Sequence, residues 1–166
     1  MTTGQAHPDE LATGAVDEND DIGPATEVAA RRARGIAAYA QIFLVPEPEV
    51  VAAMVGRVGQ VFAEEAFHSA GGAAWSHPAL TPRDRSIVVI TALAAQGVSG
   101  DRLNAHLRLA RRHGLDHEAL TAMMTLLAIY IGYARASLAM ESVERAADAG
   151  LLDDPESDSS GSADRH

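Results

Sequence analysis

Leu80-Thr81-Pro82-Arg83-Asp84-Arg85-Ser86-Ile87-Val88-Val89-Ile90-Thr91-Ala92-Leu93-Ala94-Ala95-Gln96-Gly97 is the stretch on which the fold turns. Its middle, residues 87–90, is a run of β-branched side chains, the composition of a buried strand. Its beginning starts a helix instead. Thr81 can accept from the exposed amides of a first turn, and Pro82 loses nothing at the first helical position because its missing N–H would be unpaired there. Asp84 completes a capping-box-like pair. Ala92, Ala94 and Ala95 then sustain the helix, and Gly97 ends it. The segment therefore reads as a helix, apolar on several faces and suited to the centre of the core.

Working outward, Ser99 and Asp101 open a helix to His113 that stops at Gly114, with Leu103, Leu107 and Ala110 as its buried stripe. Asp116 caps another through about Ile129. A last one follows Gly132 to Ala149, and with Ala134 near its start the two can merge. Upstream, one helix runs from about Thr26 to Phe43 and a second from Glu47 to Phe67, where Val50, Met54, Val58 and Val61 form a single stripe. Six helices with short connections make an all-α domain of two hairpins and an N-terminal pair.

Composition limits the chemistry. The 166 residues contain no Cys, which excludes disulfides, thiolate metal ligation and cysteine nucleophiles. All 13 basic residues are Arg, so a lysine Schiff base is impossible. The net charge of -10 belongs to the ends. Of 23 acids, 11 lie in residues 1–24 and 151–166 with one Arg, leaving 12 acids and 12 Arg in residues 25–150. With no basic face left over, nucleic acid is not an expected partner. The two acidic ends read as disordered tails flanking a single helical domain over residues 25–150. No charged-then-apolar leader opens the sequence and no apolar run spans a bilayer, so the expected location is the cytoplasm, without a membrane partner.

Among ionisable groups, His106 stands at the margin of the Leu103/Leu107 stripe, either a satisfied structural histidine or a site residue near neutral pKa. His113 and His117 straddle the Gly114 turn and read as exposed. No chelating spacing links the histidines, so no metal is expected. Arg85 either closes a salt bridge at the helix start or anchors a carboxylate through its fork of donors. Trp75, the one Trp, either plugs the core or lines a pocket, and Tyr130 carries a phenol able to donate to a developing oxyanion.

The region from Trp75 to Met140 resembles the carboxymuconolactone decarboxylase family. The likeness is carried by Trp75-Ser76-His77-Pro78, by Leu80 through Ile87, by Leu93-Ala94-Ala95-Gln96-Gly97, by Leu103-Asn104-Ala105-His106-Leu107, by Gly114-Leu115, and by Tyr130-Ile131-Gly132-Tyr133-Ala134. Arg34-Gly35 extends it into the first helix. The resemblance implies an AhpD-like helical bundle and a homo-oligomer, dimer-based and commonly a trimer of dimers. It also implies a decarboxylase of small lactone acids that needs no cofactor. By the same resemblance His106 is the proton donor or shuttle, Arg85 holds a substrate carboxylate or organises the site, and Tyr130 and Gly132 form the Tyr-x-Gly element.

Departures from the family pattern shift the expected substrate. Ser99 and Arg102 stand where some relatives carry Cys-x-x-Cys, which removes peroxide and disulfide chemistry. His68 replaces an acid, His77 an Arg, Leu126 a polar residue and Ala134 a Pro. The expected catalytic set is His106, His68, Arg85 and Tyr130, with His68 or His77 as second proton carrier. Trp75, His77, Leu126 and Tyr133 are expected to contact substrate. The activity expected is a cofactor-independent lyase acting on a small cyclic carbonyl or lactone acid, in aromatic or natural-product metabolism. The muconolactone decarboxylase proper and a non-catalytic binding or assembly member of the same fold are the alternatives.

Overall fold

The structure is a computed structural model and describes residues 23–153. Both acidic segments expected to be disordered fall almost wholly outside these residues. Within them the chain is helical throughout: α1 (Pro24–Phe43), α2 (Glu47–Val58), α3 (Gln60–Ala70), α4 (Ala73–Ser76), α5 (Pro82–Ala95), α6 (Asp101–Arg112), α7 (His117–Ile131) and α8 (Tyr133–Asp148). Among the described residues no single helix is long and apolar enough to cross a membrane.

The decisive stretch is helical for the reason its first residues give. Thr81 accepts from the Asp84 amide at 3.1 Å, and the Asp84 carboxylate accepts from the Thr81 amide at 2.9 Å, closing a capping box. α5 is not fully buried, however. Only Ser86, Ile90 and Ala94 are enclosed, one face at spacings of four, and Val88 lies exposed on another.

Two further expectations change. The long second helix breaks at Gly59, whose φ of 82° no β-carbon residue adopts readily, giving α2 and α3. The break resets the helical phase, so Val50 and Met54 stay buried while Val61 is 81% exposed, and Ala63 and Phe67 take over the inward face. α4 was not anticipated; it is a single turn carrying Trp75. α7 and α8 remain separate helices at Gly132. The domain also runs slightly past residue 150: Leu152 is buried in the core and its carbonyl accepts from Arg111 Nε at 2.7 Å.

Two apolar clusters hold the chain together. One joins α5, α6, α7 and α8 through Ile90, Leu103, Leu107, Leu120, Met124 and Val143. The other joins α2 and α3 through Val50, Met54, Ala63 and Phe67, with Ile36, Tyr39 and Phe43 of α1 packed against it. α1 crosses α3 in backbone contact, and a bidentate Arg32–Glu64 pair at 2.6 and 2.8 Å clamps the crossing. α1 also meets α6, so the two clusters share a seam.

Candidate active site at the α1–α6 seam

His106 lies where three cavities adjoin along that seam. The first, about 160 Å³, is walled by Gln41, Trp75, Arg85, Ser86, His106 and His113, among others. The second, about 400 Å³, shares Trp75, Arg85, Val89 and His106 with the first and adds Tyr39, Ile42 and Ala66. The third, about 290 Å³, shares Tyr39, Ile42 and His106 with the second and is bounded by Arg57, Phe62 and Arg102. The walls are mainly apolar, with an imidazole, a guanidinium and a phenol converging on them, the usual make-up of a small-molecule pocket.

The position of His106 follows from the helical stripe. Leu103 and Leu107 are fully buried, which fixes the roll of α6 and leaves residue 106 at the edge of that face. Its ring makes no hydrogen bond among the described residues. Burial pushes its pKa below the ordinary histidine value, and the Arg102 charge pushes it the same way. Its resting form at neutral pH is the uncharged imidazole.

Arg85 reaches the same wall but is partly committed. Nη1 donates to the Leu80 carbonyl at 2.6 Å and to the His77 carbonyl at 3.5 Å, tying the 77–80 loop over the start of α5. Among the described residues it forms no salt bridge, and its remaining nitrogens make no hydrogen bond. Trp75 lines the first two cavities.

The other expected residues are not gathered here. Tyr130 is 79% exposed and Leu126 is exposed beside it on α7; neither lines any of the three cavities. Tyr133 instead borders a separate groove of about 510 Å³ between α7 and α8, walled by Met124, Ala136 and Met140, which shares no residue with the His106 cavities. His68 sits beside Glu64 on α3, where its charge helps keep that carboxyl ionised behind the larger effect of Arg32. His77 is exposed, with Nδ1 accepting from the Ala79 amide at 3.2 Å. Neither of the two histidines expected as second proton carrier lines any of the three cavities.

Three groups were missed. Tyr39 of α1 lines two cavities; burial raises its pKa, and Arg102 offsets this in part, so the phenol remains a proton-bearing donor. Its only sequence mark is its place one turn after Gly35. Ser86, 6% exposed, lies 2.8 Å through Oγ from Nδ1 of His113. His113, expected to be exposed, is half-buried in the first cavity. Burial and then the Arg85 charge lower its pKa, while the Pro82 carbonyl favours the charged ring. The spacing from His106 to His113, two helical turns and so one face, could have found it. Among the described residues no group of three or more His, Asp or Glu is placed to hold a metal ion.

The carboxymuconolactone decarboxylase family model matches residues 62–145, which span α3 to most of α8 and include Trp75, Arg85 and His106. No curated protein and no solved structure matches the chain. Tyr39 and Gln41 lie outside the matched segment, so α1 completes the cavity walls with residues the family model does not cover.

Proposed function

Because the chain belongs to the carboxymuconolactone decarboxylase family, we propose that it is a cofactor-independent lyase that binds a small cyclic carbonyl or lactone acid in the cavities around His106. The observation that carries this reading is the His106 ring: half-buried, facing open volume, and with neither nitrogen spent on a structural partner. A structural histidine at such a burial satisfies its nitrogens.

The chemistry follows from the groups present. The free edge of Arg85 takes the substrate carboxylate, and the apolar walls from Trp75, Ile42 and Val89 take the ring. An anion bound beside His106 opposes the burial effect, so the imidazole gains a proton as substrate enters. Cleavage of the bond to CO2 sends its electron pair into the ring carbonyl as an enolate. The Tyr39 phenol donates to the enolate oxygen, and His106 returns its proton to carbon. The proton taken up on binding is the one consumed, and the products are CO2 and the protonated ring.

Within this proposal the protein is a cytoplasmic homo-oligomer, dimer-based and built up to a trimer of dimers. The support is the α7–α8 face, which exposes Leu126, Ile129, Tyr130 and Tyr133 together. Residues assigned to the site from the family pattern on that face would then belong to subunit contacts. The function is tested by incubating the full chain with lactone carboxylates and cyclic β-keto acids while CO2 release and ring proton signals are followed. Turnover of at least one compound is expected; a panel left unchanged rejects the lyase reading.

A further inference from the structure

The first cavity holds a second imidazole that nothing in the preceding mechanism uses. His113 ends α6, and His106 lies two turns earlier on the same helix face, so their backbones are about 10 Å apart along the axis. Ser86, enclosed on α5, holds Nδ1 of His113 at 2.8 Å. That contact fixes the ring's orientation, and in the tautomer whose Nδ1–H donates to Ser86 Oγ the bare Nε2 is the working nitrogen. The charged or titratable groups on this cavity are Arg85 from α5 and the two histidines from α6; the contributions of α1 and α4 are Gln41 and Trp75.

Resting on the proposed function, we infer that His113, positioned by Ser86, is a second proton-transfer residue facing the same bound acid as His106, so that the site also catalyses a 1,3-proton shift in an unsaturated lactone acid. The step balances without a co-reactant. Neutral His113 takes the proton from the ring carbon next to the carboxylate, and the C–H electron pair moves through the double bond into the lactone carbonyl. His106, charged by binding, gives its proton to the carbon two positions away. The double bond has then moved, no atom is gained or lost, and the two imidazoles have exchanged protonation states, which solvent resets. Burial and Arg85 outweigh the Pro82 carbonyl and favour an uncharged His113 at rest, the form the first step needs.

The probe is 5-oxo-2,5-dihydrofuran-2-carboxylate, a butenolide with one carboxylate, added in D2O to the full chain labelled with 15N-histidine. The wild type is expected to place deuterium at both C2 and C4, with the ring signals of His106 and His113 both responding to the probe. His113→Gln slows exchange by about a hundredfold while the His106 response persists. His113→Asn, which can keep the Ser86 contact, does the same if the Gln variant folds poorly. Ser86→Ala turns His113 into a mixture of tautomers and slows exchange by about tenfold with KM little changed. Exchange in His113→Gln or His113→Asn within about twofold of the wild type overturns the inference and leaves the role of His106 standing. Response of His106 alone, or of both rings without exchange, also overturns it. If neither ring responds, the inference and the proposed function fall together.

Discussion

Gly35 and Phe67 meet backbone to backbone: a β-carbon on Gly35 would overlap the Phe67 carbonyl oxygen. This contact sets how closely α1 lies on α3, and α1 brings Tyr39, Gln41 and Ile42 to the cavities one to two turns later. Gly35→Ala must push the helices apart and should cost about 3 kcal/mol, read as a lower urea midpoint. Gly56→Ala, in open space on α2, should instead stabilise by about 0.5–1 kcal/mol. Equal effects from the two variants would contradict the close crossing.

The Thr81–Asp84 box should be separable from the chemistry. Thr81→Ala removes a side-chain acceptor from the first turn of α5 and should lower stability by about 1 kcal/mol in urea unfolding. The Thr81 hydrogen bonds hold the Asp84 carboxyl below the ordinary carboxylate range. A group with a lowered folded pKa stabilises above its unfolded value and loses that contribution as pH falls through the folded one. The Thr81→Ala deficit should therefore be full at neutral pH and shrink in acid; a deficit that grows in acid contradicts the box.

That cap is also where the sequence was most legible. Thr81, Pro82 and Asp84 outweighed four β-branched residues because capping geometry is local, and tertiary packing had no part in it. The α6 stripe and the Asp116 cap, whose side chain accepts from Ala119 at 2.8 Å, were readable for the same reason. Gly59 was not, since the apolar spacing of Val58 and Val61 continues across it and only the backbone angle shows the break. The site was half legible. His106, Arg85 and Trp75 come together because α4, α5 and α6 are sequence neighbours. Tyr39 reaches them only through the α1–α6 seam, a long-range contact without a local mark. Tyr130 was expected nearby from family pattern, and it lies exposed on α7, outside the three cavities.

Arg102 should set the pH profile. Burial and the Arg102 charge hold the free His106 ring below its ordinary value of 6.5. If the charged ring is the active form, kcat/KM is high below that depressed pKa and falls as pH rises through it, while kcat falls at a higher pH because bound anion raises the ring's pKa. Arg102→Gln removes one opposing charge, so the falling limb of kcat/KM should move up toward 6.5. A limb that stays in place, or moves down, contradicts the electrostatic assignment.

Tyr39→Phe removes the one phenol that lines the His106 cavities among the described residues while keeping the ring packed tilted against Phe43 and edge-on to Phe67, at centroid distances of 5.5 and 5.7 Å. Turnover should drop by about a hundredfold with little change in KM or in unfolding midpoint. Unchanged turnover would place enolate stabilisation elsewhere.

Folding should weaken in mild acid. His106 and His113 both have lowered pKa values in the folded chain, so the unfolded chain binds protons near pH 6.5 that the folded chain does not. Stability is full above that pH and declines as pH falls through the folded values. His106→Gln should flatten the decline, measured as urea midpoints across the range; an unchanged slope would mean the ring is not buried as described.

The most direct measurement is the turnover number of His106→Gln on whichever panel compound the wild type converts fastest, made on protein whose circular dichroism and oligomeric mass match the wild type. A loss of about a thousandfold with KM changed only slightly is expected for a ring that carries the transferred proton. Turnover within about tenfold of the wild type would mean that the open imidazole at the α1–α6 seam is not the group that moves it.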